Sequence, residues 1–408
     1  VRGLDLPALD RRLRTHTAAP LAVAFSGGGD SLALLLLAKA WADGHGRRLL
    51  ALTVDHGLNP ASAGWTSRCA EIAERLDLPF RALRWEGDKP ATGLPAAARA
   101  ARHALLADAA REAGAKVILF GHTADDLAEA AAMRAEGSTV PDAAEWSPSP
   151  AWPEGRGLFL LRPMLGLGRA EIREGLTARG ETWIDDPANE DLRFARSRAR
   201  ILPARGEADH AERGGEDLVR GLPSTAFGDP ALHPRWGGLR LPSSAPARHV
   251  AAACLCAGGT SRPPRTDKLD RLVAHLRSGK PFTATLAGAR IESDGDAAVF
   301  MRDSGRSGLV EQRFPGAKAR VWDGRFEIVA DAPVMVRPLK GLLKQLPKAQ
   351  QAVLGSIPAA ARQTLPAIFG EDGVSCPILA EVPLVRVRAL AMARFEAAAG
   401  LVDREPAV

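Results

Sequence analysis

The sequence predicts an α/β fold, a doubly wound and mainly parallel sheet, followed by two smaller C-terminal domains. Three observations carry this. Through the first third, short apolar runs alternate with stretches of helical period, a pattern that implies right-handed crossovers and parallel pairing. Between Leu21–Phe25 and Ser31–Ala42 the apolar character breaks at SGGGDS, where a strand would turn into a helix. At 408 residues, the chain exceeds one ordinary core, which points to two or three domains.

Taken in order, Leu21–Phe25 reads as a buried strand and Ser31–Ala42 as the helix after it. Arg48–Asp55 (RLLALTVD) is a second strand, Ala61–Leu76 a helix and Phe80–Trp85 a third strand. Leu94–Ala113 is a long alanine-rich helix starting near Pro95, Lys116–Gly121 a fourth strand, and Ala124–Arg134 a helix. Glu136–Gly157, rich in Pro, Ser, Gly and Trp, reads as a long loop of the kind that carries function. Arg162–Ile201 returns to helical patterning, and polar Ala204–Arg220 reads as the connector out of the first domain. His249–Leu276 is helical in pattern, Phe282–Met301 alternates like a hairpin, ARVWDGRFEIVA is strand-like and ALAMARFEAAAG helical. The expected domains are residues 1–204, 205–308 and 309–408.

Bulk properties narrow the class. Hydrophobic residues at 46% and charged at 25% describe a globular protein. No segment approaches the ~20 apolar residues of a membrane span, and the first residues lack the apolar core of a secretory signal. Cys69, Cys254, Cys256 and Cys376 are scattered, so buried thiols in a reducing cytoplasm explain them better than a disulfide framework. Cys69 falls in a helical pattern, away from the strand ends. The net charge of +6 is compatible with a nucleic-acid partner.

The glycine break asks for an explanation. A strand-to-helix turn rich in glycine lets the backbone approach an anion, and the unpaired N–H groups of the helix start point at it. Ser26 and Ser31 add hydroxyls, and Asp30 an oxygen for Mg²⁺. The string is neither a Walker A motif, lacking Gly-Lys-Ser/Thr, nor the G-x-G-x-x-G of dinucleotide folds; a plain turn is the alternative. Ligands of open α/β sheets sit beyond the carboxyl ends of strands. There the second strand carries Asp55 and His56, and the fourth carries His122, Asp125 and Asp126. Glu129, at i+3 from Asp126, reads as part of a solvated face.

With these residues in place, SGGGDS resembles the pyrophosphate-loop motif of the N-type ATP pyrophosphatases, which cleave ATP between its α- and β-phosphates. VDHGLN, AARAARHALL, GHTADDLAEAAAMR, LLRPML and WIDDPANEDLRFARSRAR are similar to successive motifs of the branch of that family that makes lysidine in tRNA(Ile). The likeness is strong over Leu21–Arg200 and continues through GARIE, VWDGRFEI and LPAIFGEDGVSCPIL. Glu136 before Gly137-Ser138, where the family has arginine, and Ser197, where it has asparagine, depart from the pattern.

The resemblance implies that the chain uses ATP with Mg²⁺ to join L-lysine to C2 of cytidine 34 in the CAU anticodon of tRNA(Ile). Ser26, Gly27, Gly28, Gly29, Asp30 and Ser31 would hold the pyrophosphate, with Asp55, His56 and His122 on ATP. Asp30 and Asp126 would be catalytic and bind the metal, with Arg196 as a further catalytic residue. Arg99, Arg102, Arg193, Arg198 and Arg200 would meet phosphate or tRNA, against the plainer reading of solvated or structural arginines. Trp146 and Trp152 would stack on RNA or anchor their loop. Lys340, Lys344 and Lys348, at i, i+4 and i+8, form either a phosphate-binding stripe or a solvated helix face. A cytoplasmic location is implied, and a homodimer stays open. A tRNA thiolase and an inactive RNA-binding protein on the same fold are the alternatives; the first would need reactive cysteines.

Overall fold

The computed structural model of the chain describes residues 6–137, 143–185, 235–305, 308–370 and 373–407. Its first sheet contains β1 (Leu21–Ala24), β2 (Leu49–Asp55), β3 (Phe80–Arg84), β4 (Val117–Leu119), β5 (Trp146–Pro148) and β6 (Phe159–Leu161), in the order β3-β2-β1-β4-β6-β5. Every neighbouring pair is parallel except β5 with β6. The helices are α1 (Pro7–Arg12), α2 (Gly29–His45), α3 (Ser62–Arg75), α4 (Leu94–Glu112), α5 (Ala124–Ala135) and α6 (Arg169–Thr177).

Strand residues alternate between two cores. Leu21, Val23 and Phe25 pack with α2, α3 and α6, whereas Ala22, Leu50, Leu52 and Ile118 pack with Leu106 and Ala110 of α4. Burial on both faces is why these strands are continuous apolar runs; each large side chain buried contributes roughly 1.5–3 kcal/mol. Helix α2 lies on the sheet and against α6, so Leu32 to Leu36 are all buried and its hydrophobicity is not confined to one stripe. It stops at Gly46, whose φ of 63° closes the helix in the left-handed region.

The expected strands and helices of the first 135 residues are present, with ends shifted by a few residues. Elsewhere the structure departs from the sequence reading. Within the expected loop Glu136–Gly157, Trp146–Pro148 is an antiparallel edge strand, too short to show alternation, and an edge tolerates its proline. Of the helical pattern expected over Arg162–Ile201, Arg169–Thr177 is the one helix among the described residues.

The chain divides into two compact units, Val1–Ala211 with Val402–Val408, and Glu212–Leu401. The expected boundary at 308/309 falls inside the second unit. That unit holds three antiparallel sheets. One is β7 (Leu239–Pro242), β8 (Phe282–Leu286), β9 (Ala289–Ser293) and β10 (Ala297–Arg302) in the order β7-β10-β9-β8, so the expected hairpin is a three-stranded meander. The second is β11 (Gln312–Phe314), β14 (Val334–Pro338), β15 (Pro366–Gly370) and β16 (Gly373–Ser375). The third is β12 (Arg320–Trp322), β13 (Phe326–Ala330) and β17 (Val385–Ala389). The expected helix over His249–Leu276 is two, Ala247–Ala257 and Thr266–Arg277, parted at Gly258 and Gly259. Its two cores exchange residues: Trp236 and Met301 join the one built mainly from 314–379, while Phe395 and Ala399 join the one built mainly from 239–300. Lys340, Lys344 and Lys348 do not share a helix face; Lys344 lies in a short 3-10 turn and Lys348 begins a separate helix.

The tail from Val402 belongs to the first unit and is anchored there through buried Glu405. Arg47, with none of its side chain exposed, donates to both carboxylate oxygens of Glu405, at 3.0 and 3.1 Å, and to the carbonyls of Ala19 and Arg14. Glu405 also accepts from Arg14 N at 2.9 Å. Trp146 stacks on Phe159 at 4.8 Å and donates from Nε1 to Val402 O at 2.8 Å, so it anchors its strand to the tail.

Candidate active site

At the carboxyl ends of β1, β2 and β4 the first unit opens a cavity of about 1020 Å³. It lies where strand order reverses around β1, the place an open α/β sheet leaves for a ligand. Ser26, Gly28, Gly29, Asp30 and Ser31 line it from the glycine turn, Asp55 and His56 from β2, and His122 and Asp126 from β4 and α5.

The glycine turn is shaped by what surrounds it. Gly27 has a φ of 82° and its carbonyl accepts from Ile184 N at 2.9 Å; a Cβ there would stand 2.4 Å from Ile184 Cδ1. Gly121, at the end of β4, passes so close to α2 that a Cβ would lie 3.0 Å from the Asp30 carbonyl oxygen. Both positions therefore require glycine. Helix α2 has Gly28 as its N-cap with no side-chain cap, so the N–H groups of its first turn lack intrahelical acceptors. Ser31 Oγ donates to Gly28 O at 2.9 Å and accepts from Ser26 N at 3.2 Å. Ser31 thus braces the turn, and exposed Ser26 is the hydroxyl it presents.

Beside the turn stands a charged cluster. Arg169 Nε donates to Asp30 at 3.1 Å and Nη1 to Glu129 at 3.0 Å, and Nη2 lies 3.8 Å from Asp126. Burial pushes the Asp30 carboxyl up and Asp126 adds to this, against the lowering pull of Arg169. The Arg169 guanidinium is held charged by Glu129 and Asp30 against the cost of its burial. Asp126 also closes α5: its Oδ2 accepts from Thr123 N at 2.8 Å, half of a reciprocal capping box. Asp125 turns away, accepting from Arg169 N at 2.7 Å at the start of α6. Glu129, expected on a solvated face, is 4% exposed.

On the opposite side, Asp55 accepts from Gly57 N at 2.8 Å; burial raises its carboxyl, but the bonds from Gly57 and Ser62 and the charge of Arg84 leave it lowered. His56 packs edge-on to Trp85 at 6.1 Å, and burial with nearby Arg102 pushes its imidazole down. His122 Nδ1 accepts from Arg162 Nε at 3.0 Å. Burial, joined by the charges of Arg162, Arg102 and Arg99 and opposed by Asp126, pushes it down to about 3.

Of the other expected residues, Arg102 lines the cavity and Arg99 does not. Arg193, Arg196, Arg198 and Arg200 lie outside the described residues. Cys69 is not away from the strand ends: it sits beneath the turn, its Sγ 3.0 Å from where a Gly27 Cβ would be. It is fully buried, and burial pushes the thiol up to about 11. Cys254, Cys256 and Cys376 are buried too, so no thiol is poised for sulfur chemistry.

Sequence reasoning missed Arg169, Arg173 and Glu129. A signal for Arg169 exists: an arginine in the first turn of a helix opposes the helix dipole, so some other partner must hold it there. Among the described residues no three His, Cys, Asp or Glu side chains form a group that could hold a metal unaided.

The chain matches the family described as PP-loop domain over residues 7–205. It is 50% identical over 417 aligned residues to the tRNA(Ile)-lysidine synthase of Caulobacter vibrioides, covering 98% of this chain and 97% of that protein. The tRNA(Ile)-lysidine synthases of Hyphomonas neptunium and Rhizobium meliloti are 38% and 35% identical, over 69% and 77% of this chain and 80% and 74% of theirs.

Proposed function

We propose for this chain, which belongs to the tRNA(Ile)-lysidine synthase family, the ATP-dependent ligation of L-lysine to C2 of cytidine 34 in the CAU anticodon of tRNA(Ile). The C2 carbonyl of cytosine resists amine attack because it is urea-like. Transfer of the α-phosphoryl of ATP to its oxygen releases pyrophosphate; the lysine ε-amine then forms the C–N bond as AMP departs with that oxygen. The chain's task is to hold reactants and stabilise anionic charge, without a covalent nucleophile.

One observation supports the reading above all: an uncapped helix start, at a glycine turn whose Gly27 tolerates no side chain, faces a cavity of nucleotide size beside Asp30 and Asp126. Ser26 and the first amides of α2 are assigned to the β- and γ-phosphates, and Arg173 lines the same cavity. Mg²⁺ fits a pair of carboxylates only when phosphate oxygens complete its shell, and Asp30 and Asp126, with no third protein ligand among the described residues, match that. When bound, Mg²⁺ supplies charge neutralisation at the phosphates. Arg169, tied by Glu129, keeps both carboxylates in place.

Radiolabelled lysine, ATP and unmodified tRNA(Ile) transcript form the decisive assay. Label enters RNA only when all three are present. Incorporation without ATP, or into tRNA lacking the CAU anticodon, defeats the proposal.

A further inference from the structure

Arg162, within LLRPML, was given no role by the sequence and does not line the cavity, yet it controls a residue that does. It is 6% exposed, and Nη1 donates to Ala144 O at 2.7 Å and to Ser147 Oγ, on β5, at 3.0 Å. Its Nε donates to His122 Nδ1 at 3.0 Å. A guanidinium has donors only, so Nδ1 must be the acceptor. A neutral imidazole that accepts at Nδ1 carries its proton on Nε2. Protonating Nδ1 would break the bond and set two cations 3.0 Å apart.

The surroundings point the same way. The groups facing the ring are Asp126 from α5, Arg99, Arg102 and His103 from α4, and Arg162 itself, so cations outnumber the single anion. Phe120 stacks on the ring at 5.8 Å and fixes its plane. Among the described residues Nε2 has no hydrogen-bond partner, and the ring lines the cavity next to Gly121, which abuts the first turn of α2.

We propose that Arg162 is a positioning residue that holds His122 as a neutral Nε2–H donor for an oxygen of the bound nucleotide, so that His122 binds and does not serve as a base. The ligand's identity rests on the function proposed above; the tautomer does not. Edge strand β5 enters the site through this relay, because its Ser147 helps to aim the guanidinium.

Long-range proton–nitrogen spectra of the full chain labelled with ¹⁵N-histidine test the tautomer, the His122 signal being assigned by its loss in His122→Gln. The expected wild-type pattern at pH 7 is a bare Nδ1 and a protonated Nε2, with Arg162→Met mixing the tautomers and Arg162→Lys retaining most of the original one. A wild-type ring protonated at Nδ1, or an unchanged pattern in a folded Arg162→Met, overturns the proposal. In tRNA-dependent ATP–pyrophosphate exchange, His122→Gln retains a donor near Nε2 and should exceed His122→Leu in kcat/KM for ATP by about tenfold. Equal losses also overturn it. If the wild-type chain shows the expected tautomer but no exchange, the positioning stands and the nucleotide reading falls.

Discussion

Asp30 and Asp126 are assigned the same metal but are placed in the fold by different means, and substitution separates these roles. Asp30→Ala removes a cavity carboxylate and one arm of the Arg169 cluster. Its exchange activity should fall by about 10²–10³, with an unchanged far-ultraviolet spectrum; near-normal exchange by the folded variant removes Asp30 from the mechanism. Asp126 closes the capping box of α5, so Asp126→Ala should also cost about 1 kcal/mol of stability. Asp126→Asn, which can still accept from Thr123, should lose activity while unfolding in urea close to wild type. For cysteine, the native chain at pH 8 should resist iodoacetamide while the denatured chain takes up four equivalents, because all four thiols are buried. Rapid labelling of Cys69 would reopen the thiolase alternative.

Among the elements, those with long apolar or helical periods were legible in the sequence: β1, β2, β4 and α2 to α5 follow from strand runs buried on both faces and helices punctuated by Gly and Pro. The cavity was legible for the same reason, since the strand ends that carry Ser26, Asp55 and His122 must meet once the sheet is parallel. What could not be read depends on contacts distant in sequence. Arg169 finds Glu129, 40 residues away, and Asp30, 139 residues away, and no local pattern announces either. Nor does a three-residue edge strand such as β5. Arg169→Met would leave Glu129 buried without its 3.0 Å cation, so it should destabilise the first unit by roughly 3–5 kcal/mol. Urea unfolding measures this, and a loss under 1 kcal/mol would mean that the cluster is more solvated than its 15% exposed arginine suggests.

At the scale of the whole molecule, the chain leaves its first unit for nearly 200 residues and returns to it at Val402. Glu405→Ala leaves Arg47 buried and uncompensated, a change worth about 3–5 kcal/mol. Its melting temperature should drop by roughly 6–20 °C, at about 2–4 °C per kcal/mol for a unit of this size; a shift below 2 °C would show the pair to be dispensable.

Synthesis runs in one direction, and Arg47 precedes its counter-ion by 358 positions. A ribosome that has already delivered every strand and helix around the nucleotide cavity has therefore not yet delivered the carboxylate that lets the arginine stay dry. Until Glu405 emerges, the half of the enzyme made earliest must keep that guanidinium in water or hold it at a loss, so its completion waits on residues translated last.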